Sequence, residues 1–158
     1  MAVNIRPAYA DDAGTIAAFN AQLALETETK TLDRTQLGLG VADLLANPDR
    51  GRYFLAEVDG EIVGQLMITY EWSDWRNGLF WWIQSVFVRP ETRRRGVFTA
   101  LYNHIQSLAS DEDGVCGIRL YVERDNQRAQ RTYETLGMIK TGYQVMEVDF
   151  IHAGHTHA

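Results

Sequence analysis

Three consecutive arginines, Arg93, Arg94 and Arg95, are followed by Gly96 in a chain whose overall balance is acidic. They come after the apolar run Val86-Phe87-Val88 and a break at Arg89-Pro90, and they precede Val97-Phe98-Thr99-Ala100-Leu101. Strand, turn and helix start together make a seat for a small anion. The first N–H groups of a helix lack intrahelical partners and sit at the positive end of its dipole. The arginines add charge, and Gly96 removes a Cβ where a ligand would approach. A second constellation lies just upstream, where all four tryptophans, Trp72, Trp75, Trp81 and Trp82, are interleaved with Glu71 and Asp74. Aromatic faces and carboxylates both favour a cationic amine. The same loop can equally be a self-contained, hydrogen-bonded turn carrying structural tryptophans. His152, His155 and His157 have the residue type of a metal site, yet they fall in a polar terminus of the kind that frays, and no metal is expected.

These groups need elements to position them. Residues 3–7 read as a first strand closed by Pro7. Asp11 or Asp12 can cap a helix whose stripe is Ile16, Phe19 and Leu23, interrupted by the polar stretch 26–30. Asp33 or Thr35 can cap a second helix, with Leu37, Val41, Leu44 and Leu45 on its buried side and Asn47-Pro48-Asp49 as its stop. Residues 53–58 and 62–70 flank Asp59-Gly60, the signal of a two-residue hairpin turn. A polar and aromatic loop is then expected over 71–78, with Asn77-Gly78 as a turn, and a strand over 79–88. Val97, Leu101, Ile105 and Leu108 place one apolar stripe on a helix over 93–110. A strand over 115–122, a helix over 126–136 and a hairpin of 138–141 with 143–150 about Gly142 complete a mixed sheet flanked by helices.

Arg93-x-x-Gly96-x-Phe98 resembles the Arg/Gln-x-x-Gly-x-Gly/Ala pyrophosphate loop of the GNAT superfamily of acyl-CoA-dependent N-acetyltransferases. Downstream, Leu120-Tyr121-Val122 followed by Asn126, Ala129, Tyr133, Leu136 and Gly137 is similar to that family's second signature. The two occur in the family's order, and the resemblance extends over nearly the whole chain.

The resemblance implies an α/β fold of the α+β kind, a GNAT-type mixed and mostly antiparallel sheet splayed between two parallel strands and flanked by helices. It implies one N-acetyltransferase domain over 1–150, with 151–158 as a flexible tail. Acetyl-CoA would lie in the splay as co-substrate. Val86, Phe87 and Val88 would bond the pantetheine arm as an added strand does. Pyrophosphate would fall to Arg93, Arg94, Arg95, Gly96, Val97, Phe98 and Thr99, with Asn126 beside the cofactor and Tyr133 near its sulfur as general acid. Many members carry a glutamate on the strand before the loop, and counting back from Arg93 puts Trp82 there. Gln84 lies on the same strand face and an amide is no base. Glu28, Glu71 and Asp74 are the candidate bases, while Trp72, Trp75, Trp82 and Gln84 are candidates for the acceptor pocket. Phe98 replaces a small residue, and Met138 stands where Phe is common.

The activity so implied is transfer of acetyl to a primary amine, on a small molecule or a peptide, by direct attack in a ternary complex. A non-catalytic acyl-CoA sensor of the same fold is the alternative. A nucleotide-binding domain of another kind lacks its Gly-x-x-x-x-Gly-Lys-Ser/Thr or Gly-x-Gly-x-x-Gly loop. At 158 residues the chain has the size of one domain. A net charge of −6 argues against a general nucleic-acid or membrane-surface binder. Cys116, the single cysteine, is expected as a buried structural thiol in a reducing compartment. No stretch of signal or membrane-span length is present, so a cytoplasmic protein is expected, with a homodimer common among folds of this type.

Overall fold

Alternation along Gly51–Val58 sends Tyr53 and Leu55 to one face of a sheet and Phe54 to the other, and both sets are buried. A strand of this kind needs helices on both of its faces. The computed structural model, described over residues 1–151, supplies them. The sheet runs β1 (Asn4–Pro7), β2 (Gly51–Val58), β3 (Glu61–Ser73), β4 (Gly78–Val88) and β5 (Val115–Leu120) in that spatial order, antiparallel except for the β4–β5 pair. Helices α1 (Ala13–Glu28) and α2 (Arg34–Ala46) cover one face, where Ile16 and Val41 meet Tyr53 and Leu55. Helix α3 (Val97–Asp111) lies on the other, with His104 against the Phe54 ring at 5.6 Å. Its buried Val97, Leu101 and Ile105 follow the predicted stripe. These elements form a unit over Met1–Tyr121; a second unit, Val122–Ala158, contains α4 (Gln127–Thr135).

Local signals explain most boundaries. Asp33 caps α2, accepting from the N–H groups of Thr35 at 2.9 Å and Gln36 at 3.1 Å. Asp59 and Gly60 take the positive φ values, 51° and 80°, that a tight hairpin demands. Four expectations are corrected. Helix α1 continues through the polar stretch to Glu28, since Glu and Thr there break the stripe without breaking the helix. Strand β3 extends to Ser73, which takes Glu71 and Trp72 out of the loop and into the sheet. Cys116 is exposed, because β5 is an edge strand of the sheet order. After Leu120 no strand follows among the described residues: 138–150 has strand-like alternation, but its two halves form no ladder about Gly142, and Ile139, Tyr143, Met146 and Phe150 are exposed.

Neither Asp11 nor Asp12 caps α1 with its side chain. Asp12 instead accepts two bonds from the Arg6 guanidinium, at 2.9 and 3.0 Å, and one from the Tyr9 N–H at 2.7 Å, while Arg6 also donates to Glu57 at 3.1 Å. This ties the first strand to the turn before α1 and to β2. The Arg6 bonds hold the Asp12 carboxyl below its ordinary 3.8, and Asp12 raises the Arg6 guanidinium in return. A carboxyl depressed on folding stabilises fully above its unfolded pKa and loses that contribution as pH falls through the folded value. Asp12→Asn is therefore expected to cost about 1–3 kcal/mol at pH 7. Urea denaturation at pH 7 and again near pH 3 checks it: the gap between variant and parent must narrow in acid.

Candidate active site

Strand β4 ends in a turn at Pro90–Thr92, and the chain then takes an unusual path. Arg93 is extended, Arg94 is left-handed at φ 63°, and Gly96 is left-handed at φ 83°. Helix α3 begins only at Val97, four residues later than the apolar spacing predicts, so the arginines precede the helix rather than occupy its first turn. Left-handed residues in such a turn converge successive N–H groups into a concavity suited to an anion. The first intrahelical bond runs from the Ala100 N–H to the Gly96 C=O, at 3.0 Å, so donors at the head of α3 are directed towards the loop. Arg94, Arg95 and Thr99 are exposed beside it, and Phe98 is half-buried, its ring 6.2 Å from that of Tyr102. Gly64 on β3 seats this turn, since a Cβ there would meet Val97 Cγ1 at 3.1 Å and the Phe87 C=O at 3.1 Å.

Arg93 does something different from its neighbours. Its Nε donates to the Val88 C=O at 2.9 Å and its Nη2 to Glu26 Oε2 at 2.6 Å, with the guanidinium 5.6 Å from the Phe87 ring centre. The Arg93 bond is the leading reason that the Glu26 carboxyl titrates below its ordinary range. Arg93 is thus a brace from the loop to β4 and the end of α1.

The pairing of β4 with β5 stops at Ile83↔Leu120. Beyond it, among the described residues, Gln84 to Val88 keep β3 on one side only. The Arg89 N–H bonds the Val63 C=O at 2.8 Å, and alternation then directs the backbone of Phe87 to β3 and that of Val86 and Val88 to the outer edge. Of the three residues expected to meet an extended ligand, Val86 and Val88 face the gap, and the Val88 C=O is already held by Arg93.

On the α1/α2 face, register places Thr69, Glu71, Phe80, Trp82, Gly117 and Arg119 together at the end away from α1. Glu71 Oε1 accepts from Trp82 Nε1 at 2.8 Å and from Arg119 Nη1 at 2.9 Å. The Trp82 bond, then Arg119, holds the Glu71 carboxyl below its ordinary 4.5. Arg119 lies 3.7 Å from the Phe80 ring centre, and Gly117 makes room for that ring, which a Cβ would approach to 2.7 Å. Trp82 meets Tyr121 at 4.5 Å between ring centres, and Gln84 donates to Thr69 Oγ1 at 2.7 Å. Position 82, where the sequence offers no carboxylate, is therefore hydrogen-bonded to one from the neighbouring strand. Trp72 and Trp75 are 59% and 86% exposed, so neither is core; Trp81, at 1%, is. Asp74 sits in a turn closed by its own C=O to the Asn77 N–H at 3.3 Å and by Ser73 Oγ to the Arg76 N–H at 3.3 Å. Glu28 is exposed at the end of α1, 3.9 Å from Lys30.

In the second unit, Asn126 caps α4 by accepting from the Ala129 N–H at 3.1 Å. Gln130 donates to the carbonyls of Glu123 and Arg124, at 3.1 and 2.7 Å, which ties the preceding turn to the helix. Burial pushes the Tyr133 hydroxyl above its ordinary 10.0. Among the described residues no three His, Cys, Asp or Glu side chains are grouped to hold a metal ion; His152, His155 and His157 lie outside them. No described helix is long and apolar enough to cross a membrane.

Sequence reasoning missed Arg119, Asn20 and Gln65. Arg119 is a charge whose partner lies 48 residues away, beyond any local pattern. Gln65 did leave a signal, a polar residue inside the apolar run Ile62-Val63-Gly64-Gln65-Leu66-Met67-Ile68.

Residues 18–138 match the model of the acetyltransferase (GNAT) family. A solved structure described as a possible acetyltransferase from Clostridium difficile 630 is 47% identical over 96% of this chain and 100% of its own, with a TM-score of 0.89. Two further structures share the fold at low identity. One is a predicted acetyltransferase with acetyl-CoA from Clostridium acetobutylicum, with 16% identity, 96% and 98% coverage and a TM-score of 0.77. The other is an aminoglycoside acetyltransferase from an uncultured soil metagenomic sample, with 22% identity, 95% and 98% coverage and a TM-score of 0.71.

Proposed function

The chain belongs to the GNAT acetyltransferase family, and from that premise we propose that it transfers acetyl from acetyl-CoA to a primary amine by direct attack in a ternary complex. The observation that carries this reading is the outer edge of β4, left by β5 at Ile83↔Leu120 and running straight into the turn at Arg93–Gly96. An extended amide chain fits the first and a pyrophosphate fits the second. Val86 and Val88 hold the pantetheine arm, and the N–H groups of Arg94 to Thr99 hold the pyrophosphate, with Arg94 and Arg95 as its counter-charges. Asn126 borders the cofactor.

The amine lone pair attacks the thioester carbonyl carbon, whose oxygen takes up negative charge; collapse breaks the C–S bond and expels the CoA thiolate. Tyr133, raised by burial and so protonated at neutral pH, donates the proton that makes the free thiol. The amine's own proton passes to water, and solvent returns a proton to the Tyr133 phenolate. An α-amine, with a pKa of about 7.7, is already partly free base at neutral pH, whereas a lysine-like amine near ~10.4 is not. Glu71, kept ionised beside Trp82, anchors the acceptor's cation rather than serving as a strong base. Trp72, Trp75, Trp82 and Gln84 form the rest of the acceptor side.

A panel of amines, with aminoglycosides, polyamines and peptide α-amines among them, read by free thiol released from acetyl-CoA, tests the reading. Binding of acetyl-CoA with no acceptor-dependent release from any amine would favour a sensor instead. Glu71→Gln keeps the volume and removes the charge. It is expected to raise the acceptor KM about tenfold, the worth of one hydrogen bond to a charged group. The KM for acetyl-CoA should stay within about twofold, and an unchanged acceptor KM would remove Glu71 from the acceptor site.

A further inference from the structure

Gln65 is fully buried on β3, in a place where apolar residues surround it in sequence. Its Nε2 donates to Asn20 Oδ1 at 2.9 Å and to the Ser85 C=O at 3.0 Å. A backbone carbonyl only accepts, so the bond to Ser85 fixes which way the amide faces. Its Oε1 is left buried with no partner among the described residues. Such an orphan is costly, and an apolar side chain of the same shape would avoid it. Asn20 is itself buried on α1, and its side-chain amide is a donor to the buried Tyr53 hydroxyl oxygen.

What the amide holds is the irregular part of β4. Met67 pairs with Gln84 and Gln65 with Phe87, so Ser85 and Val86 together face the single residue Leu66. This is a β-bulge, and Ser85 takes it at φ 52°, a left-handed conformation that glycine would adopt at less cost. A trans peptide points its C=O and the following N–H in opposite directions. Binding the Ser85 C=O on the Gln65 side therefore aims the Val86 N–H the other way, over the edge that β5 has left at Ile83↔Leu120.

We infer that Gln65, seated by Asn20, is a positioning residue: it locks the Ser85 bulge so that the Val86 N–H meets the thioester oxygen of acetyl-CoA. The inference rests on the acetyl-transfer reading. A donor fixed before binding costs no reorganisation when negative charge develops on that oxygen. The buried orphan is then a local cost retained because only an amide both fits the core and donates twice.

Infrared spectra of carbonyl-¹³C acetyl-CoA bound to the protein provide the test, because a hydrogen-bonded thioester carbonyl absorbs at lower frequency than a free one. The parent should lower the frequency relative to free acetyl-CoA. Gln65→Met should return it towards the free value, with acetyl-CoA affinity within about twofold and kcat about 10- to 100-fold lower. Adding Ser85→Gly, which makes the left-handed bulge cheap without the amide, should restore most of both readouts; a general loss of packing would not be rescued this way. Asn20→Ala, which leaves Gln65 with one bond instead of two, should give an intermediate shift and serves if Gln65→Met does not fold. An unshifted carbonyl in the parent, or a shift that survives Gln65→Met, overturns the inference. A lowered frequency with no turnover on any amine would sink the transferase reading and leave this one standing. Failure of the parent to bind acetyl-CoA overturns both.

Discussion

Gly96→Val raises the dissociation constant for acetyl-CoA by about fivefold to thirtyfold. A branched residue at φ 83° carries ~1–2 kcal/mol of strain, and each 1.4 kcal/mol is about a factor of ten. Beyond the adjacent residues, no atom of the described residues lies within 4 Å of a Cβ built there, so the obstacle is backbone strain and not a clash. The free loop relieves the strain by leaving the left-handed region, and binding must then restore it. A graded series isolates the cause. Asn tolerates left-handed backbone better than Ala, and Ala better than Val, so affinities measured by calorimetry should fall in the order Gly96, Asn, Ala, Val. Equal affinities across the series would mean that pyrophosphate does not use this turn.

Tyr133→Phe lowers kcat about a hundredfold and leaves acetyl-CoA affinity within about twofold, the modest end of what a general acid contributes, since a thiol of pKa about 8.5 is a fair leaving group unaided. Burial raises the Tyr133 hydroxyl above 10.0, and the acid form is the active one. The step it supplies should accordingly persist through neutral pH and fail only above that value. Steady-state rates from about pH 6 to 11 test this, with the rate holding to about pH 10 and falling only beyond it; a Phe variant turning over at the parental rate removes Tyr133 from the chemistry.

Much of the molecule could be read from short-range patterns. Asp59-Gly60, Asp33 and the Val97-Leu101-Ile105 stripe each act within a few residues and each marks its element, although α3 starts at Val97 rather than at 93. The turn before α3 was legible through Gly96, although Arg94 entering left-handed backbone was not, because nothing in its residue type favours it. Long-range polar pairs escaped altogether. Trp82 read as a vacancy because the carboxylate that serves it is Glu71, eleven residues earlier and on another strand. Residues 138–150 misled in the opposite sense: alternation marks a segment able to pair and does not by itself bring two such segments into a ladder.

Every tryptophan in the chain belongs to one hairpin, β3 with β4, and the four differ sharply in surroundings. Trp81 is sealed at 1% exposure, Trp82 is half-covered and hydrogen-bonded, and Trp72 and Trp75 stand in solvent. Intrinsic fluorescence therefore comes from a single region, and its red and blue edges report different indoles. Iodide should quench the red edge alone in the free protein. An amine that settles beside Glu71 should shield that edge, giving an optical titration of the acceptor that needs no label and no turnover.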